Sequence, residues 1–239
     1  MKILAIDSSA RAGSAAIVED KTLLGETFIN VGLTHSQMLM PMVADLLKNT
    51  DISLDDIDAF AVSIGPGSFT GLRIGLASIK GMAFANKPSC IAVSTLHSMA
   101  YNFIFENVMV CAVMDAHCNQ FYSANFDICV EKITRLTPDR AISVENLCTE
   151  VSKLEKKVVF VGDGAVLCYN KMVSDPKFKD KEIFLAPEGK RFQKASSVAF
   201  AAYDDYLKNG NDVLVRAENL VPKYLKLSQA ERNLNQKAL

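Results

Sequence analysis

The sequence lacks three features that would restrict its class. It has no surplus of either charge, since 26 basic and 27 acidic residues leave a formal net charge of -1, which argues against a stand-alone nucleic-acid binder. No run of 18 apolar residues occurs, so no transmembrane helix is expected. The N-terminus reaches an acid, Asp7, too early for a signal peptide, and we therefore expect a cytoplasmic protein.

Motifs for a metal site or a protease are also missing. The six cysteines form no CxxC pair and the three histidines stand far apart, so no zinc site is predicted. No HExxH pattern occurs, and neither Ser68 nor Ser94 has an adjacent histidine and acid. The cysteines stand mostly in apolar contexts, and we expect them to be reduced and buried.

What the chain does contain is a pattern that occurs twice. Residues 2–7 and residues 110–115 are apolar strands that each stop on an aspartate, and a polar turn and a second strand follow both. The offset of 108 residues is close to half of the 239-residue chain. Internal repeats indicate related units, so we predict two similar lobes, 1–105 and 106–239, with the tail from about residue 212 packing back on the first lobe.

Strands and helices alternate in both lobes. Apolar runs predict strands at 2–7, 14–18, 23–29, 59–64, 90–93, 108–114, 120–127, 130–136 and 158–161. Helical periodicity predicts helices at about 35–48, 70–85, 95–105, 143–153, 166–172 and 195–207. We expect residues 175–190 to form a surface loop and the tail to end in a last helix. This mixture indicates an α/β fold with layers in each lobe and a ligand cleft between them.

The strongest local signal is the glycine-rich segment 65–75, Gly-Pro-Gly-Ser-Phe-Thr-Gly-Leu-Arg-Ile-Gly. It follows an apolar strand and opens a helix that Ser68 or Thr70 can cap. It is not a P-loop, because Leu72 and Arg73 stand where Lys and Ser or Thr are needed. It also departs from GxGxxG, because Thr70 occupies the third glycine position. A phosphate site at this turn and a purely structural turn both remain open.

Two glycines inside the following helix require a separate explanation. Each costs about 1 kcal/mol against alanine in a helix, and close approach of another backbone would offset that cost. We favour a partner's backbone over internal packing, because helix 35–48 is rich in adaptable methionine. The predicted partner interface is Met38, Met42, Gly71, Leu72, Gly75, Ile79 and Met82. Replacing Gly75 with Leu is expected to weaken association and leave the monomer folded.

Several segments together resemble one family. They are Ile6-Asp7-Ser8-Ser9, the glycine-rich segment, Met114-Asp115-Ala116, Gly162-Asp163-Gly164-Ala165 and Pro222-Lys223-Tyr224-Leu225. In this order they resemble the TsaB (YeaZ) family, subunits for the biosynthesis of threonylcarbamoyladenosine (t6A) in bacterial tRNA. That family is related to TsaD and to M22 glycoprotease-like sequences.

The resemblance implies an actin-like ATPase fold (ASKHA, with the ribonuclease H-like motif) of two similar lobes. It implies a non-catalytic scaffold that binds and activates the catalytic paralogue TsaD, which transfers threonylcarbamoyl to N6 of adenosine 37 in tRNAs reading codons that begin with A. The implied partners are TsaD, the ATPase TsaE, a second copy of the chain when alone, and tRNA mainly through the complex. The alternatives are an ATP-binding transferase or an M22 glycoprotease-like peptidase active in its own right.

The resemblance also implies where a nucleotide would lie. Actin-like folds place acids around a metal–nucleotide at the positions of Asp7 and Asp115, and the matching loops add Ser8, Gly162 and Gly164. We expect no cofactor, with ATP or ADP plus magnesium as the alternative. Catalytic paralogues hold a metal through two histidines four apart, whereas the comparable stretch here has His97 alone. One imidazole is not a metal site, so neither metal ligands nor catalytic residues are predicted.

Overall fold

The computed structural model of the chain describes residues 1–86 and 88–226. These residues fold into two six-stranded sheets with helices packed on their faces. None of the helices in the described ranges is both long and apolar enough to cross a membrane. The last helix that the sequence predicts lies outside the described residues.

The first sheet is built around its first strand. Its strands are β1 (Lys2–Asp7), β2 (Gly13–Glu19), β3 (Thr22–Ile29), β4 (Ala59–Gly65), β5 (Ser89–Ser94) and β12 (Leu214–Val215). Their order is β12-β5-β4-β1-β2-β3. Strand β1 pairs antiparallel with β2 and parallel with β4, and it is buried from its second residue onward. It is apolar without alternation because helices cover both of its faces.

The second sheet repeats this plan. Its strands are β6 (Asn107–Asp115), β7 (Gln120–Cys129), β8 (Lys132–Arg135), β9 (Arg140–Ser143), β10 (Val158–Val161) and β11 (Ile183–Leu185). The order is β11-β10-β6-β7-β8, with β9 paired to β7. As in the first sheet, the first strand pairs antiparallel with the strand that follows it, and here its parallel neighbour is β10, the fifth strand along the chain. Two sheets that share one order are the arrangement of the actin-like fold, and the fold prediction is confirmed.

The helices fill the layers around the sheets. They are α1 (His35–Thr50), α2 (Phe69–Asn86), α3 (Thr95–Ala100), α4 (Val144–Val151), α5 (Ala165–Val173), α6 (Glu188–Arg191) and α7 (Ala195–Asn209). Helices α1 and α2 share an apolar core with one face of the first sheet. The small side chains of α7 pack on its other face, α3 packs on the second sheet, and α4 and α5 cover the outer face of that sheet.

The order of the elements follows the sequence prediction closely, with exceptions in the second half. The stretch 175–190, expected to be a surface loop, contains strand β11 and the start of α6, so that prediction is wrong. A three-residue strand carries too little periodicity to be recognised. Helix α7 packs on β1 and β2 of the first sheet, and β12 pairs antiparallel with β5. The boundary at 105/106 stays a prediction.

The six cysteines differ in exposure. Cys90, Cys111 and Cys168 are buried, as expected, whereas Cys148 is half-buried and Cys118 and Cys129 are exposed. Both exposed cysteines stand beside turns at the two ends of β7. All six are free thiols.

Candidate functional site

A cleft of about 710 Å³ lies between the two sheets. Its walls come from the loop after β1, the glycine-rich loop after β4, the turn after β6, and the tail residues 223–226. The carboxyl ends of the central strands therefore open into one cavity, as is usual for ligand sites in α/β folds.

Asp7, the predicted acid of the first lobe, is enclosed beneath this cleft. One of its carboxylate oxygens accepts hydrogen bonds from the Ser9 backbone N–H at 2.9 Å and from Ser9 Oγ at 2.8 Å, and the other accepts from Ser63 Oγ. Burial raises the pKa of Asp7, although the hydrogen bonds from Ser63 and Ser9 oppose the shift. Asp7 thus ties the β1 loop to β4, and it is not among the residues that line the cleft.

The glycines of segment 65–75 explain how the β1 loop is held. A Cβ at Gly67 would fall within 3.0 Å of the Ser9 carbonyl oxygen, and a Cβ at Gly71 would fall equally close to that of Ser8. The Ser68 N–H donates to the Ser9 carbonyl oxygen at 2.6 Å. A Cβ at Gly75 would stand 2.5 Å from Ser8 Oγ. The close approach that the helical glycines require is therefore internal, against the Ser8–Ser9 loop.

The seven residues predicted as a partner interface lie in the chain's own interior. The side chains of Met38, Met42, Leu72, Ile79 and Met82 are each at most 7% exposed, and Gly71 and Gly75 are buried against Ser8. The same helical stripe that packs glycines against the β1 loop also faces the sheet. Gly75→Leu would disturb this core rather than leave the monomer intact.

The second lobe contributes a more open wall. Asp115 ends β6 and lines the cleft, where its carboxylate accepts the His117 backbone N–H at 2.8 Å. Gly162 has a φ of +110°, and a Cβ there would collide with the Val113 carbonyl oxygen. Gly164 packs against the backbone of Asp115 in the same way. Of the five residues predicted for a nucleotide, Asp115 alone is among those that line the cleft.

Asp163, between these two glycines, is a second acid of the cleft. Desolvation of its carboxyl group, and to a smaller extent the nearby Asp115 charge, raise the pKa of Asp163 to about 6. Two acids on one wall disfavour the phosphates of a nucleotide, because like charges at short range repel.

The sequence predicted that the tail from about residue 212 packs back on the first lobe, but it did not predict that residues 223–226 line the cleft. Tyr224 stacks on Phe69 with ring centroids 4.1 Å apart, and its hydroxyl accepts a hydrogen bond from Arg73 Nε at 2.9 Å. The Lys223 backbone N–H donates to the Ile64 carbonyl oxygen at 2.8 Å. The tail is thereby fixed to β4 and to the first turns of α2.

The same tail also reaches the second lobe. Lys223 Nζ lies 3.4 Å from an Asp139 carboxylate oxygen, and Arg135 Nη1 lies 2.6 Å from the other. Lys226 Nζ donates to the Ala116 carbonyl oxygen at 2.8 Å. The Pro222-Lys223-Tyr224-Leu225 motif marked this segment in the sequence. The residues that it contacts are distant along the chain, so the sequence did not show them.

His97 is a packing residue. Its ring stacks on Phe126 at a centroid distance of 5.7 Å and meets the edge of Tyr101 at 5.4 Å. Burial, with help from the Arg135 charge, lowers the pKa of His97 to about 4, so the imidazole is neutral near pH 7. Across residues 1–86 and 88–226, no three His, Cys, Asp or Glu side chains are grouped so that they would hold a metal ion.

Known proteins are similar to this chain in sequence and in fold. Residues 30–234 match the family model described as TsaD, tRNA N6-adenosine threonylcarbamoyltransferase. The tRNA threonylcarbamoyladenosine biosynthesis protein TsaB of Bacillus subtilis (strain 168) is 28% identical over 231 residues, which cover 97% of this chain and 96% of the relative. TsaB of Escherichia coli (strain K12) is 40% identical over 128 residues, 53% of this chain and 55% of the relative.

A solved structure agrees with these sequence relatives. YeaZ from Pseudomonas aeruginosa superimposes with a TM-score of 0.75 at 24% identity, covering 94% of this chain and 99% of that one, which supports the fold. The family that the sequence segments resemble is confirmed by the sequence matches along the chain. The chain therefore belongs to the TsaD family, and within that family it is similar to the TsaB (YeaZ) proteins.

Proposed function

We propose that this chain is a non-catalytic subunit for the formation of threonylcarbamoyladenosine in tRNA. It would bind and activate a catalytic TsaD protein, which transfers threonylcarbamoyl to N6 of adenosine 37. The observation that carries this proposal is the state of Asp7, whose carboxylate is buried and taken up by Ser9 and Ser63. An acid with these hydrogen bonds stabilises the loop after β1, and His97 likewise packs against Phe126.

The exposed faces of α1 and α2 are the surface that we propose for the catalytic partner. Phe84 is 86% exposed and Met40 is 43% exposed. On α2, Ala77 and Gly81 precede Phe84 at helical spacing and are exposed too. Small residues beside an exposed aromatic favour close packing of another helix.

The partner surface is tested by charge substitutions that leave the core untouched. Phe84→Asp and Ala77→Glu are expected to weaken binding to a purified TsaD at least about tenfold, because each places a charge in a desolvated contact. The matched control is Leu167→Asp, which changes an equally apolar side chain, 59% exposed, on α5. Calorimetry or surface plasmon resonance gives the affinities. Equal binding by all three variants would place the interface elsewhere.

The role itself is tested by reconstitution. TsaD, TsaE, tRNA and a threonylcarbamoyl donor are combined with and without this chain, and t6A is measured in the digested tRNA. We expect product only when the chain is present, and none when the chain is present without TsaD. Transfer by this chain alone would refute the non-catalytic assignment. Size-exclusion chromatography with light scattering tests the homodimer expected in the absence of TsaD.

The second candidate is an ATP-binding transferase of the actin-like fold. The cleft volume of about 710 Å³ and the cleft-facing Asp115 favour it, whereas the acid pair with Asp163 and the enclosed Asp7 disfavour it. Titration calorimetry with ATP and magnesium separates the candidates. We propose that the chain works without a bound nucleotide, so no saturable heat is expected, and saturable binding that Asp115→Asn abolishes would support the transferase.

The peptidase alternative has less support from the residues that would act. Ser68 Oγ accepts the Gly71 backbone N–H at 3.2 Å and caps α2. Ser94 Oγ accepts the His97 backbone N–H at 3.2 Å and caps α3. Both hydroxyls thus have structural partners typical of helix N-caps.

A further inference from the structure

A second cavity, of about 510 Å³, lies apart from the cleft and shares no lining residue with it. It is formed by residues of α7 as far as Asp204, by residues 101–105 between α3 and β6, and by Gly189 and Lys190 of α6. The turns at Lys21 and Glu131 complete its rim. Because α7 packs on the first sheet and Glu131 follows β7, the cavity contacts both halves of the molecule. Its volume is in the range usual for small-molecule sites.

The walls of this cavity are largely aromatic. Phe105, Phe200 and Tyr203 line it, together with Ile104 and Tyr101. Tyr101 is fixed in place, since its hydroxyl donates to an Asp204 carboxylate oxygen at 3.0 Å. Aromatic walls offer a flat apolar body large contact area and favourable ring packing.

Among the charged side chains that line the cavity, three are basic and two, Glu131 and Asp204, are acidic. Lys21, Lys190 and Lys194 line it. Lys190 lies 3.1 Å from a Glu106 carboxylate oxygen, whereas neither Lys21 nor Lys194 has a carboxylate within 4 Å in the described part of the chain. Of the two acids on the lining, Asp204 already accepts the Tyr101 hydroxyl. Two ammonium groups are therefore available to an anion.

The anion would be held by these side chains rather than by the N-terminus of α7. The Ala195 N–H already donates to Ser14 Oγ at 2.8 Å, and the Ser196 N–H donates to a Glu26 carboxylate oxygen at 2.9 Å. The first-turn donors that these bonds satisfy are not free for a ligand.

The rim shows an unusual backbone. Phe105 has a φ of +71° and Val130 a φ of +54°, the left-handed region that bulky residues rarely adopt. The Phe105 N–H donates to the Val130 carbonyl oxygen at 2.7 Å, which locks the two turns together. The result is an aromatic ring that stays 65% exposed at the mouth of the cavity. Strain of this kind tends to occur where a side chain is positioned for a ligand.

We propose that this cavity binds a small organic anion with a flat aromatic body. The rings of Phe105, Phe200 and Tyr203 contact the body, and Lys21 and Lys194 hold the anionic group. The proposal is independent of the proposed function, because it concerns neither the cleft nor the exposed faces of α1 and α2.

The probe for this test is 2-naphthoate, and its uncharged analogue of similar shape is 2-naphthalenemethanol. Chemical shifts of the full-length protein are followed as each compound is added. We expect saturable binding of 2-naphthoate with a Kd below about 1 mM. The alcohol should bind at least about fivefold more weakly. Absence of saturation, or equal affinity for the two compounds, would overturn the proposal.

Variants locate the binding in the cavity. The double substitution Lys21→Gln with Lys194→Gln is expected to lower the affinity for 2-naphthoate to that for the alcohol, without changing the affinity for the alcohol. Phe105→Gly removes a wall while relieving the left-handed strain, and should weaken both compounds about threefold or more. Val130→Gly relieves similar strain without touching the lining, and should leave both affinities unchanged.

A control in the other cavity completes the design. Lys223→Gln removes a cation from the cleft and is expected to leave the binding of 2-naphthoate unchanged. If Lys223→Gln lowers the affinity and the Lys21/Lys194 double variant does not, the anion binds in the cleft and the proposal is wrong.

Discussion

Two glycines of the same helix should respond to alanine in opposite directions. Gly71 and Gly81 both lie within α2. A Cβ at Gly71 would lie within 3.0 Å of the Ser8 carbonyl oxygen, whereas a Cβ at Gly81 would meet nothing within 4 Å. Alanine at both positions gains helix propensity, so the pair separates the propensity of glycine from its role in packing.

The two magnitudes follow from these surroundings. Gly81→Ala should raise the free energy of unfolding by up to about 1 kcal/mol, the propensity difference in an exposed helix. Gly71→Ala must push the β1 loop away from α2, at an overpacking cost of about 1–3 kcal/mol. It also weakens the hydrogen bond from Ser8 Oγ to the Gly71 carbonyl oxygen, 2.9 Å long, which contributes about 1 kcal/mol. We therefore expect a net loss of about 1–3 kcal/mol at Gly71.

Urea unfolding followed by circular dichroism measures both variants. In thermal melts, each 1 kcal/mol corresponds to a shift of about 2–4 °C for a protein of this size. Gly75→Ala gives an intermediate control, because its Cβ would meet the hydroxyl of Ser8 and not its backbone. If Gly71→Ala proved as stable as Gly81→Ala, the contact between α2 and the Ser8–Ser9 loop would not be what requires glycine at residue 71.

Three further predictions follow from the packing. Tyr224→Leu removes the stack on Phe69 and should lower the free energy of unfolding by about 1 kcal/mol. It should also speed amide hydrogen exchange in the glycine-rich loop. Unchanged exchange would show that the tail does not restrain that loop. The pKa of His97 falls from 6.5 to about 4 on folding. As the pH drops between these values, only the unfolded chain takes up the proton, so the free energy of unfolding should fall by about 1.4 kcal/mol per pH unit. The urea midpoint of His97→Phe should depend less on pH, and a pH dependence equal to that of the parent protein would count against a neutral, buried imidazole. In the native protein, Cys118 and Cys129 should react rapidly with Ellman's reagent while the three buried thiols react only after unfolding, and fast reaction of all six would contradict the core described above.

Much of the fold follows from local pattern. Strands β1 and β6 are apolar runs that end on aspartate, and the turn and second strand after each are short and close in sequence. Such hairpins depend on neighbouring residues, so their periodicity is readable. Strand β11 and helix α6 were missed because three or four residues carry no clear period.

The candidate site was predicted less well. The carboxylate of Asp7 was placed correctly at the end of β1, but its enclosure by Ser63 depends on a residue 56 positions away. The glycines of α2 signalled a close approach, and the sequence left open whether the neighbour was internal. The neighbour is Ser8, 63 residues before Gly71.

The sequence by itself determined the repeated strand pattern, the glycine-rich helix start with Ser68 or Thr70 as its cap, and the family. These depend on residue types at short spacing, which set local backbone preference and the side that each element buries. Tertiary structure alone decided which surface the glycines contact and where the tail lies. The Arg73–Tyr224 contact joins residues 151 positions apart, and such pairs are selected by the packing of whole layers rather than by the local sequence of either partner.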